Sequence, residues 1–149
     1  MNLNAKPSEL VAVVGNIDPD ANGAATYTTG WVSMRDWHAV LAVVQAGDLG
    51  ASATIDAKLE QATDGSGTGA KDVTGKAITQ LTKAGSDDNK QALINCRADE
   101  LDGDGGFSYV RLSVTVGTAA CDSGAVLLGV NPTHGPASDY DASSVDEIV

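Results

Sequence analysis

The sequence predicts an all-β protein: an antiparallel β-sandwich of about eight strands, jelly-roll-like, with extended termini. Three observations predict it. Apolar and polar residues alternate with period two through much of the chain, the pattern of strands with one buried and one solvated face. Gly- and Asp-rich turns recur between these runs, at the spacing of a sandwich or jelly roll. Only Ser33–Val44 could pass as a helix, capped by Asp36, and its β-branched content argues against that.

The elements follow in order. A first strand is expected over Leu10–Ile17, between Pro7 and the Asp18-Pro19 turn signal. Thr29–Met34 is the next candidate. Ala39–Gln45 is a continuous apolar run that suits a strand buried on both faces. Thr54–Glu60 alternates strictly: Ile55, Ala57 and Leu59 face inward, and Thr54, Asp56, Lys58 and Glu60 face water. Ala77–Thr82 is a shorter candidate. Ala92, Ile94, Cys96 and Ala98 line one side of the next run, with Gln91, Asn95 and Arg97 between them. Phe107–Val116 turns Val110, Leu112, Val114 and Val116 inward and Tyr109, Arg111, Ser113 and Thr115 outward. Ala125–Val130 completes the set. Turns are expected at Gly47–Gly50, Asp64–Gly69, Gly85–Asn89 and Asp102–Gly106. From Asn131 onward, Pro132, Gly135 and Pro136 break the pattern, and Asp139, Asp141, Asp146 and Glu147 charge it. The domain reading is therefore a sandwich over residues 1–130 and an extended acidic tail over 131–149.

The chain has 149 residues, enough for one domain with a core of its own. Apolar residues make up 42%, but aromatic residues only 4%, so Ala and Val dominate the interior. Small side chains remove little surface from water at about 25 cal/mol per Å². A thin core, helped by neighbouring subunits, is the expectation. The net charge of −11 argues against a nucleic-acid groove or an anionic membrane as partner. The apolar run Leu10–Val14 is too short for the core of an export signal. Synthesis and retention in the cytoplasm follow as an expectation.

The chemistry-bearing motifs are incomplete. Two cysteines, Cys96 and Cys121, read as buried free thiols rather than a bridge. His38 and His134 do not form zinc spacing; His38, beside Trp37, reads as packed and His134 as exposed. Gly65-Ser66-Gly67-Thr68-Gly69 resembles a phosphate loop superficially. However, Ala70 stands where the dinucleotide pattern needs glycine, and no helix follows. Gly75-Lys76 is followed by Ala77, not Ser or Thr. Asp102 and Asp104 start like a calcium loop, but Gly106 and Ser113 occupy ligand positions. Carboxylates are plentiful, yet a glycosidase pair wants an aromatic-lined cleft. The sequence nominates no catalytic residue, no cofactor site and no metal ligand: the chain reads as a non-enzyme.

Several blocks together carry a resemblance: Ala51–Asp64, Gly67–Asp72, Gly75–Leu81, Phe107–Leu112 and Gly129–Ala137. From about Val11 to Ala137 the chain resembles a family of tailed-phage structural proteins encoded near the major capsid protein in phages and prophages. Cys121 departs from that pattern, where a small polar residue is expected. The resemblance implies a virion component made in the host cytoplasm and brings no active-site residue with it. Within it, the expected role is a capsid decoration (cement) protein on the phage head. Its partners would be the major capsid protein and further copies of itself, in a homotrimer, with no nucleic acid and no membrane. A neck or tail β-module is the alternative within the virion. A carbohydrate-binding module using Trp31 and Trp37 is the alternative outside that role.

Overall fold

A computed structural model of the chain describes residues 4–149. After one helical turn at Pro7–Leu10, ten strands follow. They are β1 Val11–Asn22, β2 Ala25–Thr28, β3 Val32–Ser33, β4 Trp37–Leu49 and β5 Thr54–Ala62, then β6 Lys71–Ala77, β7 Leu81–Thr82, β8 Gln91–Arg97, β9 Tyr109–Gly117 and β10 Cys121–Pro132. Short 3₁₀ turns occupy Ala98–Glu100 and Ala137–Tyr140.

The strands form two antiparallel sheets. The first runs β1-β10-β4-β8; the second runs β2-β9-β5-β6, with β3 added to β9 and β7 to β5. Setting aside the two-residue strands β3 and β7 and counting the rest from one to eight, the sheets read 1-8-3-6 and 2-7-4-5. The chain thus crosses between sheets at every long connection except β5 to β6. That interleaving is the jelly roll, which buries one face of each sheet against the other.

The alternation seen in the sequence sets which residues meet between the sheets. Ile55, Leu59, Leu112 and Leu127 are the largest fully buried side chains, joined by Val40, Val44 and Val110. Around them sit Ala12, Ala42, Ala46, Ala53 and Ala57. The core is therefore thin, as the Ala and Val content implied. The buried Thr29 hydroxyl accepts the Leu112 N–H at 3.0 Å and donates to the Gly30 carbonyl at 3.0 Å. The Gln61 amide oxygen accepts the Asp102 N–H at 2.8 Å, tying the Asp102–Gly106 turn to β5.

Four expectations change. The strand expected over Leu10–Ile17 runs on to Asn22, through Asp18-Pro19. β1 lies at a sheet edge and its register shifts between Ile17 and Asp20, so Pro19 sits in a bulge where its missing N–H breaks no ladder. In place of Thr29–Met34 there are two strands, β2 and β3, both on β9, because Thr29 and Trp31 lie in the step between them. Ala77–Thr82 resolves into the end of β6 and the short β7. Lys71–Ala77, too polar to show an apolar rhythm, is an edge strand held by β5. Finally, Ala39–Gln45 is buried on one side only: Val40, Ala42 and Val44 face the core, while Ala39, Leu41 and Val43 are half-buried on the outer side of the sheet.

Cys96 and Cys121 are both free and buried. Burial pushes the Cys96 thiol up to about 11, and the nearby negative charge of Glu100 adds to it. Burial also raises Cys121. Since the thiolate is the reactive form, an aromatic disulfide reagent at about pH 8, near the ordinary thiol range, is expected to label neither residue until denaturant unfolds the chain. Fast labelling of native protein would contradict their placement.

Candidate functional site

The ladders of the first sheet assign its outer face row by row. Val126 of β10 lies beside Asn16 of β1 and Val43 of β4, and Val43 lies beside Leu93 of β8. In the next row Leu128 has Val13 and Leu41 as neighbours, and Leu41 has Asn95. The row after it reads Val11, Val130, Ala39, Arg97. On the other side, Gln45 stands between Gly124 and Gln91, with Pro19 packed over Gly124. Leu93 is 60% exposed, and its apolar companions on the face are half-buried.

These rows hold no carboxylate, in a chain with twenty acidic residues. Their single charge, Arg97, stands at a corner and is held by Asp99 at 2.9 Å. The middle of the face is Val and Leu; its margin is Asn16, Gln45, Gln91 and Asn95. An apolar centre with an uncharged polar rim is the anatomy of an interface, and a contiguous exposed apolar patch of this kind marks an interaction site.

The outer face of the second sheet is its opposite. Lys58 lies 2.6 Å from Asp72 and 3.4 Å from Glu60, and these carboxylates hold its ammonium above the ordinary lysine range, with the Asp72 hydrogen bond foremost. Arg111 pairs with Glu60 directly across the β5–β9 ladder at 2.7 Å and stacks 4.5 Å from the Trp31 ring centre. Cross-strand ion pairs of this sort suit a face left in water.

No family model matches the chain, and no curated protein matches it. Among solved structures, the chain is similar to one from the cryo-EM structure of Broad Bean Stain Virus, at 12% identity and a TM-score of 0.44, covering 91% of this chain and 94% of that one. A chain from the Cowpea Mosaic Virus empty particle shows 9% identity and a TM-score of 0.42, over 91% and 87%. A chain from the infectious bursal disease virus Gx strain shows 11% and 0.44, over 86% and 33%. At such values the chain's function rests on its own residues.

The residues singled out in the sequence scatter rather than converge. Trp37 is 3% exposed and so presents no platform to a glycan. Trp31 is half-buried, with Arg111 over its ring and Gly67 against its indole nitrogen. His38 is exposed, contrary to the packing expected of it: Val40, not His38, begins the inward alternation of β4. His134 is exposed as expected. The Asp102 carboxylate is engaged by Lys71 at 2.5 Å and by the Gly105 N–H at 3.0 Å, the pattern of a closed hairpin turn. The Asp64 carboxylate closes the Gly65–Gly69 loop, accepting the Ser66 and Thr68 N–H groups at 2.9 and 3.1 Å. Among the described residues no three His, Cys, Asp or Glu side chains gather as metal ligands. No helix among them is long and apolar enough to cross a membrane.

The candidate surface not singled out in the sequence is the outer face of the first sheet. Its signal was present in Ala39–Gln45 and Ala125–Val130, apolar at both odd and even positions. Ala39–Gln45 suits a strand covered on both sides, yet its outer side is only half-buried.

Proposed function

We propose that the chain is a structural virion protein of a tailed phage that decorates the head and stabilises the capsid through inter-subunit contacts. The observation that carries this reading is the uncharged apolar face on a jelly roll whose opposite face is laced with ion pairs. A protein with one face finished for water and the other left apolar is suited to act by contact rather than by catalysis. The resemblance over Val11–Ala137 supports the phage setting, with the major capsid protein and further copies of the chain as partners. On this reading residues 1–130 form the sandwich and residues 131–149 a C-terminal segment, which turns back onto it through Ala137, Tyr140 and Asp141.

The test is addition of purified protein to expanded heads that lack it, followed by cryo-EM. Copies repeating over the head lattice, with heads more resistant to heat, are expected. Heads that remain bare at saturating protein, or density confined to the neck or tail, would sink the proposal.

A further inference from the structure

We propose that the outer face of the β1-β10-β4-β8 sheet packs against the same face of a second copy of this chain. The inference deepens the structural reading above and rests on it for the choice of surface. Four features select a second copy as the occupant. The first is charge. Two chains of net charge −11 repel, and they come together only where carboxylates are kept out of the contact. The rows through Leu128, Val126, Val130 and Gln45 meet that condition, whereas the second sheet, with Asp56, Glu60 and Asp72, does not. A basic partner would instead be matched by carboxylates across the face; the four rows hold none, and Asp18 stands only in the wall of the groove beside β1.

The second feature is shape. Leu41, Val43, Val126 and Leu128 form the centre of the grid, on the two inner strands β4 and β10. A two-fold axis near that centre places apolar side chains against apolar side chains and brings the amide rim of Asn16, Gln45, Gln91 and Asn95 together around them. Sheets pack face to face in this way at about 10 Å separation, and isologous contact is the commonest symmetry of oligomers.

The third is area. Eight residues along β4 at ~3.3 Å each and four strands at ~4.8 Å give a flat footprint of about 500 Å² per copy. The pair of faces then buries about 1,000 Å², which is the lower limit for a specific interface. The fourth is relief. A groove of about 450 Å³ lies on this face; Val13, Val43, Val126 and Val145 give it an apolar floor, and Asn16 and Asp18 stand in its wall. It is a concavity into which the Leu93 side chain of the other copy, 60% exposed here, can be received.

The experiment is sedimentation velocity with light scattering on the full chain over a micromolar concentration series. A two-chain mass is expected, and Leu128→Glu or Val43→Glu is expected to reduce it to one chain with an unchanged circular dichroism spectrum and a melting temperature that no longer depends on protein concentration. Because a charged variant could perturb folding, Leu128→Cys gives a second measurement. Under mild oxidant it is expected to cross-link into a covalent pair, while Thr115→Cys on the opposite sheet stays single. A one-chain or three-chain mass for the parent, a two-chain mass indifferent to both Glu variants, or no cross-link at Leu128→Cys would overturn the inference. Its failure is separable from that of the phage-head reading: a monomer that still coats heads removes the self-contact alone, and a pair that never binds heads removes the virion role alone.

Discussion

Trp37→Ala is expected to lower folding stability by about 3–5 kcal/mol, the range for truncating a buried aromatic residue. At roughly 2–4 °C per kcal/mol for a chain of this size, the melting temperature should fall by about 10 °C. The magnitude follows from where the ring lies. Strand parity would place Trp37 with Ala39 and Leu41 on the outer side of β4. Instead it is 3% exposed and packs across Gly129, where an added Cβ would stand 2.5 Å from the ring. Nearby, Asn131 takes a left-handed φ of 51° between the paired residues Val130 and Pro132. Tyr140 meets the ring edge-on at 5.5 Å and 71°, and Ala137 beside it is fully buried.

The truncation therefore reaches beyond its own cavity. From Tyr140 the chain continues along the edge of β1, where the Asp141 carboxylate accepts the Val13 N–H at 2.7 Å and the Ala142 N–H donates to the Val13 carbonyl at 2.7 Å. Those bonds cover an edge strand that would otherwise present free ladder groups. Loss of the Trp37 ring should loosen this cover, and hydrogen exchange at Val13 should quicken together with the fall in melting temperature. Gly129→Ala should destabilise too, through overpacking against the ring. In the double variant the clash is absent, so its cost should be clearly less than the sum of the two. Strict additivity would contradict the contact.

The second large effect separates two adjacent leucines. Leu127→Ala is expected to cost about 2–5 kcal/mol, because Leu127 is fully buried between the sheets and truncation leaves a cavity. Leu128→Ala, one residue on, should cost no more than about 1 kcal/mol in the isolated chain, since the side chain is only half-buried on an open face. Urea unfolding at low protein concentration measures both. Equal losses would mean that the outer face is covered within the chain itself, and the interface assignment would fall with that result. The comparison is sharp because the period of a strand is two: a slip of one residue would exchange the roles of Leu127 and Leu128.

Much of this architecture was legible in the chain. In β5 and β9, Ile55, Leu59, Leu112 and Val114 alternate with charged or hydroxylated residues, so the inward face declared itself before any pairing was known. In β4 and β10, both parities are apolar. Ala42 and Leu41, or Leu127 and Leu128, carry no mark that tells core from surface. Edge strands were hard to read for the converse reason: Lys71–Ala77 has so little apolar surface that only its pairing to β5 makes it a strand. Pro19 looked like a stop because local chemistry cannot know that its position lies in a bulge at a sheet edge.

By itself, then, the sequence determined the strand class, the alternating half of the core, and the turns at Asp64–Gly69 and Asp102–Gly106. These depend on neighbours a few residues apart, and their physics is local. The tertiary structure alone decided three things: the 1-8-3-6 and 2-7-4-5 interleaving, the burial of Trp37 under Tyr140, and which side of the doubly apolar strands stays open. Each depends on which distant strand stands beside or behind a residue. An apolar side chain records that it prefers to leave water, but not whether its own chain or a second copy will provide the cover.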